Sequence, residues 1–269
     1  MELKVLTKTN AEKGSIKLPS QFNEELRVDL IKKAVLAIQA NNRQVYGNKP
    51  GAGMRHSAKL SRRRRKYRGG YGAGISRVPR KILSRSGTRF NWVGATSPGT
   101  VGGRRAHGPT ADKIFAVNLN DKERKKAIRS ALAATVNSNV VSERGHKVPP
   151  SYPFVLSDDF ESIDKTGDFF KALLSLGFSD ELIRSKKKTV RAGKGTMRNR
   201  RYKKRVGPLV VVSNKDSKLF KSAKNIPGLD IVLVESLNAE LLAPGTHPGR
   251  LTLFTESALA ELESRRLFI

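Results

Sequence analysis

Four consecutive arginines, Arg62, Arg63, Arg64 and Arg65, run into Lys66, Tyr67 and Arg68 and form the densest cationic stretch of the chain. A guanidinium fork grips phosphate oxygens in pairs and stacks on bases, as aromatic rings also do, so this mixture suits irregular or single-stranded RNA. The run continues as Gly69, Gly70, Tyr71, Gly72, Ala73 and Gly74, where missing side chains let the backbone approach another chain closely. Around it lie Arg43, Lys49, Arg55, His56 and Lys59 on one side, and Arg77, Arg80, Lys81, Arg85, Arg89, Trp92, Arg104, Arg105 and His107 on the other. A second block holds Arg191, Lys194, Arg198, Arg200, Arg201, Tyr202, Lys203, Lys204 and Arg205. All of these residues except Gly69 to Gly74 are assigned to RNA contact. The bland alternative for the first block is a solvated tail or a localisation signal. Its internal position, with Phe90 and Trp92 inside it, weighs against a tail.

Other motifs carry less chemistry. Gly193-Lys194-Gly195-Thr196 resembles a fragment of a nucleotide-binding loop, but Ser or Thr should follow the lysine directly and a further glycine should precede it at fixed spacing, and neither is present. Gly70 to Gly74 lacks the preceding core strand and following apolar helix of a dinucleotide site. Asp158, Asp159, Glu161 and Asp164 form the one acidic cluster. It reads either as a nuclease-type metal site or as a helix start, with Ser157 capping and the acids meeting the positive end of the dipole. His56, His107, His146 and His247 are scattered, none paired at helical spacing with another metal ligand. No catalytic triad is recognisable, so catalytic residues, metal and cofactor are all assigned as none.

The charge balance sets the frame for these runs. The 269 residues contain 53 Lys and Arg against 23 acids, a formal net charge of +30. Such an excess repels itself in a free chain and calls for a polyanionic partner. It is also localised. Between Asp29 and Asp112 there is no acid and nineteen Lys or Arg; from Arg184 to Arg205 there are twelve more and again no acid. The remainder is about neutral. An anionic membrane is the competing partner, but it normally needs a basic amphipathic helix or a lipid anchor. No stretch nears the roughly 20 apolar residues of a membrane span, and Met1 to Thr9 lacks the apolar run of a signal peptide. There is no cysteine, which fits a reducing compartment and excludes disulfides and thiolate metal sites. The chain therefore reads as soluble and unexported.

The elements around the cationic runs must position them. Leu3 to Leu6 and Ile16 to Leu18 read as short strands, and Leu26, Leu30, Ile31, Ala34, Val35 and Ile38 as the buried stripe of a helix over 23–40. Asn120 with Glu123 makes a capping box for a second helix bearing Ala127, Ile128, Ala131, Leu132 and Thr135. Phe154 to Leu156 reads as a buried strand before a helix carrying Phe169, Phe170, Leu173, Leu174 and Leu176. Leu209 to Val212, Ile231 to Val234 and Leu251 to Phe254 are core strands, the last leading into a helix capped by Thr255. Continuous apolar strands alternating with helices predict an α/β fold: one mostly parallel, Rossmann-like sheet with helices on both faces. Residues 1–41 and 112–269 form this domain, and 42–111 an extended basic loop inserted in it, with a second basic loop at 184–206. The inserted segment, glycine-rich and without sustained periodicity, is expected to order only against a partner.

Several segments resemble one family. Asn118 to Arg124 with Ile128 to Thr135, Val155 to Glu161, Ala192 to Gly195 with Arg198 to Tyr202, and above all Leu242-Ala243-Pro244-Gly245 with Pro248 to Leu259, are similar to the large-subunit ribosomal L-four family in its archaeal form. The resemblance covers nearly the whole chain. It implies a structural, non-catalytic constituent of the cytoplasmic ribosome that binds large-subunit rRNA. It also implies an α/β domain on the outer face of the subunit, and an internal loop whose tip helps line the nascent-peptide tunnel beside the L-twenty-two family protein. The implied partners are rRNA, neighbouring ribosomal proteins and the nascent peptide, with neither a membrane nor a small-molecule substrate. Gly69, Gly70, Tyr71, Gly72, Ala73, Gly74, Arg77 and Arg80 match the loop tip best, while Arg85 to Gly103 follows the family only loosely. A hairpin-like loop of ~65 residues reaches at most about 100 Å at roughly 3.3 Å per residue. Two rivals remain open at this level: an RNA-processing enzyme using Asp158, Asp159 and Asp164, and a free regulatory RNA-binding protein.

Overall fold

The computed structural model describes residues 1–269. In chain order, strands β1 (Glu2–Leu6) and β2 (Glu12–Lys17) precede helix α1 (Val28–Asn41), and β3 (Arg80–Ser86) and β4 (Arg89–Gly94) follow. Next come α2 (Asp121–Val136), α3 (Ser138–Glu143), β5 (Phe154–Leu156), α4 (Thr166–Ser175) and α5 (Ser179–Lys186). The remainder is β6 (Lys188–Val190), β7 (Tyr202–Lys204), β8 (Leu209–Val212), α6 (Lys218–Ser222), β9 (Asp230–Leu233), α7 (Ala239–Leu242), β10 (Thr252–Phe254) and α8 (Glu256–Ser264). Two compact units result, Met1–Asn42 with Ala116–Ile269, and Arg43–Phe115.

The first unit is mixed α/β, but its sheet is not the single Rossmann-like one expected. Two three-stranded sheets form instead, ordered β2-β1-β5 and β10-β8-β9. Within them β1 pairs parallel with β5, and β8 parallel with both β10 and β9, while β2 is antiparallel to β1. The sheets meet only at an isolated parallel bridge between Leu156 and Thr255. The cause is local. Both β5 and β10 have three residues, and each is followed at once by a helical turn that begins at Asp158 or Glu256.

Alternation along the strands feeds two cores. Val5, Val155, Leu209 and Val211 belong to a cluster with Ile31 and Val35 of α1 and Ile128 and Leu132 of α2. Their neighbours Leu6, Leu156, Val210 and Val212 join Phe169 and Leu173 of α4, Leu182 of α5 and Leu219 of α6. Truncating one such side chain to Ala costs about 2–5 kcal/mol.

One helix start and one helix cap differ from the sequence expectation. Helix α1 begins at Val28 rather than Asn23, because the backbone before it is engaged elsewhere. The Arg27 amide donates to Ser130 Oγ at 2.7 Å, and that hydroxyl donates to Glu25 O at 2.8 Å. Leu26 is left exposed. Asn120 does precede α2, but its side chain makes no cap; Glu123 instead pairs with Lys33 at 2.7 Å. On α4, Phe170 and Leu174 are exposed rather than buried.

The Arg43–Phe115 unit, assigned no regular structure from sequence, contains a hairpin. Strands β3 and β4 pair antiparallel from Arg80↔Gly94 to Ser86↔Arg89, with an irregularity between Ile82 and Ser84. That irregularity shifts the alternation of side chains in β3, while β4 alternates, with Phe90 and Trp92 on its less exposed face.

Candidate nucleic-acid interface

In the Arg43–Phe115 unit cations have almost no carboxylates to meet. Asp112 is its only acid, and no residue of the unit takes part in an ion pair. Arg62 to Arg65 and Lys66 are exposed, as are Lys49, Arg55, His56, Lys59, Arg85, Arg89, Arg105 and His107. Lys81 and Arg104 are half-buried. Arg104 crowds Gly53, whose φ is +76°: a Cβ there would lie 2.7 Å from the Arg104 Cα, so a side chain at 53 is blocked both by conformation and by space.

The aromatic residues organise the unit. Tyr67 meets the edge of Phe90 at 5.2 Å between ring centres, and Phe90 stacks on Trp92 at 5.2 Å. Arg85 lies over Tyr67 at 5.5 Å, Arg68 over the same ring at 5.6 Å, and Arg80 over Trp92 at 5.3 Å. Arg80 is therefore buried in its own hairpin, with Nη2 donating to Ser76 Oγ at 3.2 Å. Arg80 and Trp92 thus pair within the hairpin, Arg80 buried and Trp92 half-buried. At the ends of the unit Tyr46 stacks on Phe115, and Arg43 caps Phe115 at 4.1 Å. Sequence reasoning missed Tyr46 and Phe115, which lie too far apart in the chain to show as a motif.

Gly69 to Gly74 turns tightly. Gly72 and Gly74 have positive φ and open space around them, and Arg77 closes the turn by donating to Tyr71 Oη at 3.0 Å. Arg65 and Arg68 also have positive φ, at 53° and 62°. Consecutive amides in such bends form concavities that favour anions.

The second basic block is a hairpin of the α/β unit, β6 paired with β7 from Lys188↔Lys204 to Val190↔Tyr202. Arg191, Lys194, Arg198, Arg200, Arg201, Tyr202, Lys203, Lys204 and Arg205 are all exposed. Lys188, not singled out from sequence, places Nζ 3.5 Å from the centre of the Tyr202 ring. Gly193 to Thr196 forms the hairpin's tip, where Thr196 Oγ1 donates to Arg191 O at 2.6 Å. Arg184, at the start of the block, is not free for RNA: it binds Glu181 at 2.6 and 2.7 Å.

The acidic cluster is engaged within the protein. Glu161 accepts from Thr255 Oγ1 at 2.7 Å, Ser257 Oγ at 2.8 Å and Ser213 Oγ at 3.1 Å. Asp158 accepts from the Ser257 amide at 2.8 Å, at the start of α8. No group of three or more His, Cys, Asp or Glu is placed to hold a metal ion. No helix is long and apolar enough to cross a membrane.

Beside this geometry, the amino-acid sequence itself matches a known family. The profile of the ribosomal protein L4/L1 family aligns with residues 16–265. The chain belongs to this family. It is 48% identical over 268 residues to the large ribosomal subunit protein uL4 of Nanoarchaeum equitans, covering all of both chains. It is 46% identical over 252 residues to that of Methanococcoides burtonii, covering 93% of each, and 43% identical over 263 residues to that of Archaeoglobus fulgidus, covering 97% of this chain and 98% of the relative. Membership in the L4/L1 family favours the structural reading of Asp158, Asp159 and Asp164 over the nuclease one, consistent with the hydrogen bonds at Glu161 and Asp158.

Proposed function

We propose that this chain, a non-enzymatic structural component of the large ribosomal subunit, binds the subunit's rRNA through its two cationic surfaces. The Arg43–Phe115 unit is the inserted element that enters the RNA. Its Gly69 to Arg80 turn is the part that reaches the wall of the nascent-peptide tunnel, beside a neighbouring protein of the L-twenty-two family. Its place of work is the cytoplasmic ribosome.

The observation that carries this reading is the isolation of charge. The cations from Arg43 to Lys113 have one acid among them and no ion pair, so their field is uncompensated within the protein. Phosphates supply the counter-charge, and release of their condensed counterions supplies much of the affinity. Arginines on turns fix position along the RNA backbone without reading sequence. Tyr67, Tyr71 and Tyr202 are exposed and add stacking surfaces for unpaired bases.

The test is binding of the full chain to a large-subunit rRNA transcript across a salt series. Affinity should fall steeply with salt, and replacing Arg62 to Arg65 by Gln should lower the logarithmic slope by about one for each phosphate no longer neutralised. Salt-independent binding, or a free chain that stays off large subunits in sedimentation, would overturn the reading. A tunnel location is checked by crosslinking from position 73 to a stalled nascent chain. Crosslinks only to the subunit's outer RNA would reject it.

A further inference from the structure

At the root of the β6–β7 hairpin a cleft of about 790 Å³ opens between the end of α3, strand β7 and the His247–Pro248 turn. Its cationic lining is Arg144, Arg184, Lys203, Lys204 and Arg205, against the single carboxylate of Glu143. Arg184 is neutralised by Glu181. Arg144 is not neutralised by anything. It is half-buried, with Nη2 donating to Pro244 O at 2.6 Å and Nη1 to His247 O, and it forms no ion pair. Both acceptors are neutral carbonyls, so they fix the plane of the guanidinium without cancelling its charge. Burial, then the guanidiniums of Arg250 and Arg184, pulls Arg144 down to about 10. Positive charge is thus held at a place where it is unfavourable until an anion arrives.

We propose that this cleft is a discrete RNA subsite that takes one backbone phosphate with its attached nucleoside. Arg144 is the fixed donor, and Lys203, Lys204 and Arg205 bring further positive charge to the cleft from the hairpin. The proposal rests on the rRNA-binding reading above. The shape of the cleft favours a nucleotide over an acidic peptide. One carboxylate would be satisfied by Arg144 alone, whereas the three further cations and the apolar wall of Val140, Val206 and Pro248 suit a larger group that carries charge at one end and a ring at the other. The cleft also continues directly into the exposed run from Lys188 to Arg205, so a strand leaving it meets more cations.

The test compares the full-length wild type with Arg144→Gln and with a Lys204→Ala/Arg205→Ala double variant, on the same large-subunit rRNA transcript. Each variant should bind about three- to tenfold more weakly at roughly 0.2 M salt, with the logarithmic salt slope lower by no more than about one for either, since one phosphate is released in both cases. Hydroxyl-radical footprints should lose one short protected patch, the same patch for both, while protections due to Arg62 to Arg65 persist. Arg144 also holds two carbonyls, so melting curves are recorded first; if Arg144→Gln fails to fold, the double variant on exposed strand positions decides alone. Wild-type affinity, slope and footprint in a folded variant would overturn the subsite while leaving the rRNA reading intact. Wild type failing to bind rRNA would overturn both. Binding of poly-glutamate to wild type but not to the variants, with the variants' RNA footprint unchanged, would also overturn the proposal, since the cleft would then be a site for acidic peptide.

Discussion

Nδ1 of His146 lies 2.7 Å from Oε1 of Glu181, and both side chains are almost wholly buried. Burial alone would raise the Glu181 carboxyl, but hydrogen bonds from Arg184, His146 and the Lys147 amide outweigh it and hold the group at about 2. Burial lowers His146 below its ordinary 6.5, more than the Glu181 carboxylate raises it. Nδ1–H of a neutral imidazole therefore donates to the carboxylate.

Both groups titrate lower when folded than when unfolded, so the unfolded chain binds protons first. Their stabilisation is complete above about pH 6.5 and is lost as the pH falls, first through His146, then from about 4.5 toward 2 through Glu181. The two titrate as a coupled pair. Glu181→Gln should cost about 3–5 kcal/mol at neutral pH, because it leaves Arg184 and His146 without their acceptor. It should also flatten the loss of stability between pH 4.5 and 2. Denaturant melts across that range check both, and an unchanged acid limb would reject the assignment.

Arg250 is only 1% exposed, the largest fully buried side chain of the fold. Nε donates to Gly207 O at 3.0 Å, Nη1 to Leu241 O at 3.0 Å, and Nη2 to Asp230. It thereby ties the entry of β8 to β9 and α7. Gly249 beside it has φ +87°, and a Cβ there would sit 2.8 Å from the Val140 carbonyl oxygen. Arg250→Leu should destabilise by about 2–4 kcal/mol, because the Gly207 and Leu241 carbonyls lose their donor while the half-exposed Asp230 returns to water. Gly249→Ala should cost more than the usual 1 kcal/mol of a left-handed position, since the clash is with backbone. Thermal unfolding of the two variants measures this.

Which parts were legible in the sequence follows from how local their causes are. Leu209 to Val212 and Leu251 to Phe254 read as strands because continuous apolar runs bounded by turns have few other uses. The exposed run Arg62 to Lys66 was legible because nothing nearby neutralises it. Arg250 was not, since an arginine reads as a surface residue until three distant acceptors converge on it. The start of α1 depends on Ser130, about a hundred residues away. The pairing of Arg80 with Trp92 requires the β3–β4 register, which no single local run of residues sets. Arg144 gave no signal at all, as its exceptional feature is the lack of a carboxylate in space.

Trp92 is the only tryptophan, so its fluorescence reports on the Arg43–Phe115 unit alone. Stacking on Phe90 and cover by Arg80 shield the indole. Phe90→Ala should shift its emission to the red in the free chain, with melting of the α/β unit changed by less than about 1 kcal/mol. Emission identical to wild type would show that the ladder is not formed without RNA.

Replacing residues 43–115 by a flexible Gly/Ser linker should leave the α/β unit folded, because both of its hydrophobic clusters lie outside that segment. Long insertions change loop-closure entropy only slightly, so removing one should shift stability by about 1 kcal/mol or less. A single cooperative melt is the expected result. Loss of cooperativity would make the segment part of the core. The same chain should keep weak, salt-sensitive rRNA affinity through the β6–β7 hairpin.

Glu161 decides between a structural and a catalytic acidic cluster. Its carboxylate accepts from hydroxyls on three elements, Ser213 after β8, Thr255 after β10 and Ser257 in α8, while Thr255 Oγ1 also lies 3.3 Å from the Ala258 amide it caps. A metal ion would have to break these bonds to reach the oxygens. Glu161→Ala should therefore destabilise by about 2–4 kcal/mol, because the buried Thr255 and half-buried Ser213 and Ser257 hydroxyls lose their shared acceptor where the two sheets meet. Added Mg²⁺ or Mn²⁺ should not change the melting temperature of either protein. A metal that stabilised wild type but not the variant by more than about 1 kcal/mol would signal binding to the folded state and return the nuclease reading to contention.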